Sequence, residues 1–75
     1  MKNSVNKEFI IKFGLNLRSI RERKNISMQV LADIVNIEYP QISRIGRGII
    51  NTPINTANDI AIAIEIDIRD LFNFS

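Results

Sequence analysis

The sequence predicts an all-α fold, five helices packed around one small core. Two observations carry that expectation. Apolar residues recur at three- and four-residue steps in five separate stretches. Between the stretches stand residues that start or stop helices: Ser27, Asn55 and Asp67 as N-caps, and Asn25 and Asn36 as left-handed closing residues. A chain of 75 residues can bury a single core of this kind, so residues 1–75 are expected to form one domain.

Taken in order, residues 1–5 are polar and are expected to fray. The first helix is expected from about Asn6 to about Lys24, with Phe9, Phe13, Leu17 and Ile20 as its buried stripe. Gly14 sits inside this helix at a cost in helix propensity, which implies that another backbone comes close there. Asn25 closes the helix and Ile26 turns back to the core. The second helix opens at Ser27, whose hydroxyl can accept from an unpaired first-turn N–H, and turns Met28, Leu31, Ala32 and Val35 inward. Asn36 ends it. Ile37 packs inward, and Glu38 or Tyr39 opens a third helix that buries Ile42 and Ile45. Pro40 falls in its first turn, where a missing N–H costs little.

A loop, Ile49-Ile50-Asn51-Thr52-Pro53, leads to a fourth helix with Asn55 as its cap and Ala57, Ile60, Ala61 and Ile64 buried. Asp67 then caps a short fifth helix, with Asp70 complementing the first turn and Ile68, Leu71 and Phe72 closing the core.

Composition removes several function classes. The chain has no Cys and no His, hence no disulfide framework, no thiolate nucleophile, no usual zinc site and no imidazole base. No enzymatic activity, metal or cofactor is expected. No apolar run approaches the roughly 18 residues of a membrane span, and the N-terminus lacks a signal-peptide layout. The expected location is cytoplasmic, without membrane partners. The net charge is only +2, but it is unevenly spread. Residues 1–47 carry nine Lys/Arg against four acids, whereas residues 48–75 carry one Arg against four acids. The basic part contains the second and third helices, as a nucleic-acid-facing surface requires.

The stretch from Ser27 to Gly48 has the spacing of a helix-turn-helix: a small Ala32, a turn residue four positions later, and Ile42 six beyond that. Ala32 must be small because the next helix crosses closely over it. Here the chain resembles the phage repressor and Cro family of helix-turn-helix regulators, the XRE type. The matching residues are Ser27, Leu31-Ala32, Asn36-Ile37, Ile42-Ser43-Arg44-Ile45 and Arg47-Gly48. The likeness extends through the five-helix order to the ending D-I-R-D-L-F. It implies a lambda-repressor-like domain that binds double-stranded DNA, with a recognition helix at about residues 38–47. Restriction–modification controllers and small phage repressors share such a one-domain plan.

An α-helix fits the major groove and meets base edges through its exposed N-terminal residues. By position in the family, the residues for base contact are Tyr39, Pro40, Gln41 and Arg44, with Glu38 at the entrance. Gln41 can bridge adenine N6 and N7, and Arg44 can bridge guanine O6 and N7, each discriminating by about 1–3 kcal/mol. Tyr39 and Pro40 offer apolar surface to a thymine methyl. Glu38 can accept from a cytosine N4 or cap its own helix, and the sequence favours the cap.

Phosphate contacts fix register without reading sequence. Backbone N–H groups at helix starts suit them, which points to Met28, Gln29, Asn51 and Thr52; Arg18, Lys24, Ser43 and Arg47 are further candidates. Three positions depart from the family's pattern. Relatives usually have Gln where Met28 stands and Gly where Glu65 stands. They typically have Glu in place of Gly46, paired with an Arg matched here by Arg21; without that partner, Arg21 is expected to swing outward or to find Glu22.

One recognition helix covers too few base pairs for useful specificity, so a homodimer on a two-fold operator is expected. Ile11, Leu15 and Ile50 are apolar residues that the core does not need, and Ile62, Ile66, Phe72 and Phe74 form the expected dimer surface, because they lie away from the recognition helix. A chain ending at Ser75 leaves no second domain for ligand sensing, and no small-molecule ligand is expected. The alternative reading is the antitoxin of a toxin–antitoxin pair, its exposed isoleucines covering a partner protein.

Overall fold

In the computed structural model, the backbone is described for residues 2–75 and the side chains for residues 6–75. Five helices follow one another: α1 (Lys2–Arg23), α2 (Met28–Val35), α3 (Tyr39–Gly46), α4 (Ile54–Ala63) and α5 (Ile68–Leu71). There is no strand among the described residues. α1 packs on α3 and α5, α2 packs on α3 and α4, and α4 packs on α5.

The core draws on every helix. Phe13, Leu17 and Ile20 come from α1, Leu31 and Ala32 from α2, and Ile42 and Ile45 from α3; Ala57, Ile60 and Ala61 of α4, Ile64 just beyond it, and Leu71 of α5 complete it. Leu31, Ile45, Ile60, Ile64 and Leu71 are fully enclosed, and each such side chain stabilises by about 1.5–3 kcal/mol relative to an exposed one. Met28, Val35, Ile37, Ile50, Ile66, Ile68 and Phe74 lean on this core from its edges.

Four connections repeat one device. Asn25, Asn36, Gly48 and Glu65 all have left-handed backbone, with φ of 59°, 58°, 70° and 59°. Each is followed by an isoleucine whose N–H reaches back to an earlier carbonyl: Ile26 to Arg21, Ile37 to Ala32, Ile49 to Arg44 and Ile66 to Ala61, all at 3.0–3.1 Å. This is the Schellman closure, which satisfies carbonyls that a helix end would otherwise orphan. Three of these isoleucines, Ile26, Ile37 and Ile66, also return to the core.

Several expectations need correction. α1 begins at Lys2 rather than near Asn6, so the segment expected to fray is helical from Lys2 onward; Met1 lies outside the described residues. Phe9 is 49% exposed and is not a core residue. It lies beside Phe72 and Phe74 instead, with ring centroids at 6.3 and 5.3 Å. Phe72, itself 41% exposed, covers Phe13 from outside at 5.1 Å rather than closing the core. Ile50, expected to be surplus to the core, leans on it.

α4 starts two residues earlier than an Asn55 cap requires, with Pro53 at the N-cap and no side-chain cap bond. Glu65, where relatives usually have Gly, ends α4 with the same closure as the other helices. It takes the left-handed turn in place of a glycine, because the backbone bonds around it, including that of Ile66, demand that shape.

Candidate nucleic-acid interface

The recognition segment is held by local chemistry at both of its joints. Ser27 caps α2 as expected, its Oγ accepting from the Val30 N–H at 3.1 Å. Asn36 turns the chain left-handed and Ile37 bonds back to Ala32. These two residues set the angle at which α3 leaves the turn. Gly14 sets its depth: a Cβ built on it would fall 2.6 Å from the Gly46 carbonyl oxygen and 2.7 Å from that of Ile45. The expected close backbone is therefore the last turn of α3, seated directly on α1.

With Ile42 and Ile45 buried (2% and 1% exposed), the opposite side of α3 faces solvent. Glu38, Tyr39, Pro40, Gln41, Arg44 and Arg47 are all exposed. Gln41 and Arg44, three residues apart, share a face, and Arg44 Nη1 donates to Gln41 Oε1 at 3.4 Å.

Glu38 occupies the N-cap position but makes no side-chain cap bond, which corrects the expectation of a capping carboxylate. The reason is that little is left to cap. Pro40 has no N–H, and the Gln41 N–H already donates to the Glu38 carbonyl at 2.9 Å. The Glu38 carboxylate is thus free to accept from another molecule.

The candidates for phosphate contact divide by location. Arg18, Met28, Ser43 and Arg47 border one cavity between α1, α2 and α3. Arg47 also borders a cleft with Asn51 and Lys7, and Lys7 is a cation that sequence reasoning missed. Thr52 lies with Phe9 and Ile54 along an aromatic groove. Lys24 lies apart from all of these, beside Ile66, Asp70 and Asn73 on the α5 side.

Gln29 spends one amide hydrogen on Asp33 at 2.9 Å, and Arg18 pairs with Glu22 at 3.1 Å. At the start of α4 the helix bond from Ala57 to Pro53 leaves Ile54, Asn55 and Thr56 as the residues with spare N–H groups. They stand beyond Asn51 and Thr52, because the helix begins at Ile54.

Arg21 does not swing outward. Its Nη1 donates to the Ile26 carbonyl at 2.7 Å and it stays half-buried, while Glu22 is held by Arg18. The resolved shifts in ionisation lie away from α3, at α5. There the Asp67 carboxyl is held down to about 2, first by the hydrogen bond from the Arg69 guanidinium and then by the Arg69 backbone N–H.

A short helix seated by its apolar side, with hydrogen-bonding side chains projecting from the other and cations along its flank, defines a helix-turn-helix DNA-binding domain. The family profile of the Cro/C1-type helix-turn-helix DNA-binding domain matches residues 16–75, and the chain belongs to that family of DNA-binding transcriptional regulators. Among solved structures, it is similar to the restriction–modification controller protein C.AhdI from Aeromonas hydrophila. The two are 30% identical, with a TM-score of 0.81 over 84% of this chain and 96% of the other. It is also similar to an HTH_3 family transcriptional regulator from Vibrio cholerae, at 21% identity and a TM-score of 0.83. That match covers 89% of this chain and 38% of the regulator, and it speaks to the fold alone. No curated protein matches the chain in sequence. No described helix is long and apolar enough to cross a membrane.

Proposed function

We propose that this protein is a sequence-specific regulator that binds double-stranded DNA as a homodimer, with residues 38–47 in the major groove of each half-site. The observation that carries the reading is the split of α3: Ile42 and Ile45 are buried, while Gln41 and Arg44 project into solvent. Gln41 and Arg44 read base edges, Tyr39 and Pro40 supply apolar contact, and the uncapped Glu38 accepts from a cytosine amine. Arg18, Ser43 and Arg47, with the free N–H groups of Met28 and Gln29, hold the phosphates on one side of the groove. Asn51 and Thr52 lead into the spare N–H groups of α4 on the other. Lys24, on the α5 side, contributes least.

Dimerisation supplies a second half-site one helical turn away. Among the expected dimer residues, Ile62 and Phe72 are 66% and 41% exposed and Ile66 and Phe74 are half-buried against the core. Phe72 and Phe74 stand beside Phe9, whereas Ile62 lies beside Ile34 and Val35, so the aromatic part is the surface we propose for the dimer. The likeness to a restriction–modification controller favours a free-standing regulator over an antitoxin.

The test is a gel-shift titration of wild type, Gln41→Ala and Arg44→Ala on a selected operator and on random DNA across salt. Each variant is expected to lose about 5- to 150-fold on the operator, equivalent to about 1–3 kcal/mol, with little change on random DNA. Arg47→Ala lowers both and flattens the salt slope. Equal operator affinity for wild type and both α3 variants would remove the assignment.

A further inference from the structure

α1 extends beyond the stretch that the family profile matches. The match begins at residue 16, whereas α1 runs from Lys2, so the family likeness assigns no use to the first half of this helix. What that half carries next to α3 is Lys7. Gly48, in the turn just beyond α3, presses its backbone onto this part of α1: a Cβ built on it would fall 2.6 Å from the Ile11 Cα. Lys7 stands one helical turn before Ile11, on the same side of α1. It is exposed, and it borders a cleft of about 710 Å³ together with Arg47, Gly48 and Asn51. No acid lines that cleft, and no carboxylate pairs with Lys7 or Arg47 among the described residues.

Charge decides what such a cleft holds. Phosphates run along both walls of the major groove. On the α2 side Arg18 is at hand, and Arg47 stands between the two sides. On the α4 side, Asn51, Thr52 and spare backbone N–H groups are donors without a charge of their own. The one cation after Gly48 is Arg69, and Asp67 holds it at 2.9 Å. A cation dedicated to the α4 side therefore comes from elsewhere in the chain, and Gly48 brings Lys7 to it. We propose that Lys7 is a further DNA contact, holding with Asn51 a backbone phosphate on the α4 side of each half-site; the inference rests on the major-groove reading above. Exposed Ile49 borders the same cleft and offers apolar surface to the deoxyribose beside that phosphate, which a free inorganic anion would not use.

The experiment is a fluorescence-anisotropy titration of the whole chain on a selected operator and on random duplex, across salt from about 50 to 200 mM. Wild type is compared with Lys7→Gln, Lys7→Arg, Lys12→Gln and Gln41→Ala. Loss of one phosphate contact flattens the plot of log affinity against log salt by about 0.9 per protomer. Lys7→Gln is expected to show that change equally on operator and random DNA, and Lys7→Arg to keep the wild-type slope. Lys12→Gln, exposed on α1 but outside the cleft, is expected to keep it too. An unchanged slope in Lys7→Gln, or an equal flattening in Lys12→Gln, would overturn the proposal. A Gln41→Ala loss on the operator that persists beside an unchanged Lys7→Gln slope removes the Lys7 contact alone, whereas a wild type that binds no duplex removes the major-groove reading with it.

Discussion

The same substitution, Gly to Ala, should have opposite effects at two helical positions of this fold. In a helix interior, Ala is favoured over Gly by about 0.8–1 kcal/mol. At Gly46 nothing lies within 4 Å of the added carbon, so Gly46→Ala should realise part of that gain, reduced because Gly46 is the last residue of α3. At Gly14 the new carbon falls 2.6 and 2.7 Å from two α3 carbonyl oxygens and 3.0 Å from the Gly46 carbonyl carbon. These are backbone atoms and cannot rotate aside. α1 and α3 must part until the contact reaches the ordinary 3.4 Å, which loosens the packing of Phe13, Leu17 and Ile45 as well. Overpacking of this kind costs about 1–3 kcal/mol against a propensity gain of about 0.8–1 kcal/mol, and with rigid backbone atoms on both sides of the contact the net is a loss of up to about 2 kcal/mol. In a domain of this size each kcal/mol moves Tm by about 4–8 °C. Thermal melts followed by circular dichroism should therefore place Gly46→Ala above wild type and Gly14→Ala below it. The displaced α3 should also bind operator DNA more weakly in Gly14→Ala. A Gly14→Ala melt at or above the wild-type Tm would refute the rigid backbone contact on which the reasoning rests.

Other outcomes follow from the same geometry. Glu65 holds a left-handed backbone at φ 59°, which costs a non-glycine residue about 1–2 kcal/mol, so Glu65→Gly should stabilise by about 1 kcal/mol in urea titration; an unchanged midpoint would mean that the turn carries no strain. Gly46→Glu should also raise Tm, adding a partner for Arg21 to the helix gain, and Arg21→Gln in that background should remove the added part. Asp67 is depressed from 3.8 to about 2 in the folded protein, so its ion pair stabilises fully above about pH 4, and that contribution fades as pH falls from 4 toward 2. The Tm gap between wild type and Asp67→Asn should accordingly shrink across that window, whereas a constant gap would show that the carboxylate charge does not matter.

Local chemistry settled much of this protein in advance. Ser27 before an apolar stripe, Asn25-Ile26 and Asn36-Ile37 as closures, Asp67 as a cap, and Ile42 and Ile45 alternating with Gln41 and Arg44 are decided within a turn of chain. A cap or a left-handed residue needs only its near neighbours. What the sequence left open depends on residues brought from afar. Phe9 and Phe13 have the same helical spacing, but only Phe13 lies under the rest of the fold, while Phe9 meets Phe72 and Phe74 at the rim. Asn16 looks like a surface residue, yet its amide donates to the Asp70 and Leu71 carbonyls at 2.8 Å and ties α5 to α1. Arg21 finds the Ile26 carbonyl only because the Asn25 turn folds that carbonyl back toward it. Glu65 accepts a glycine's conformation because the residues on either side, buried Ile64 and half-buried Ile66, both return to the core. Periodicity and capping are short-range and legible along the chain; which of two equivalent apolar residues is covered, and which polar group finds a partner, is decided only once distant segments share one core.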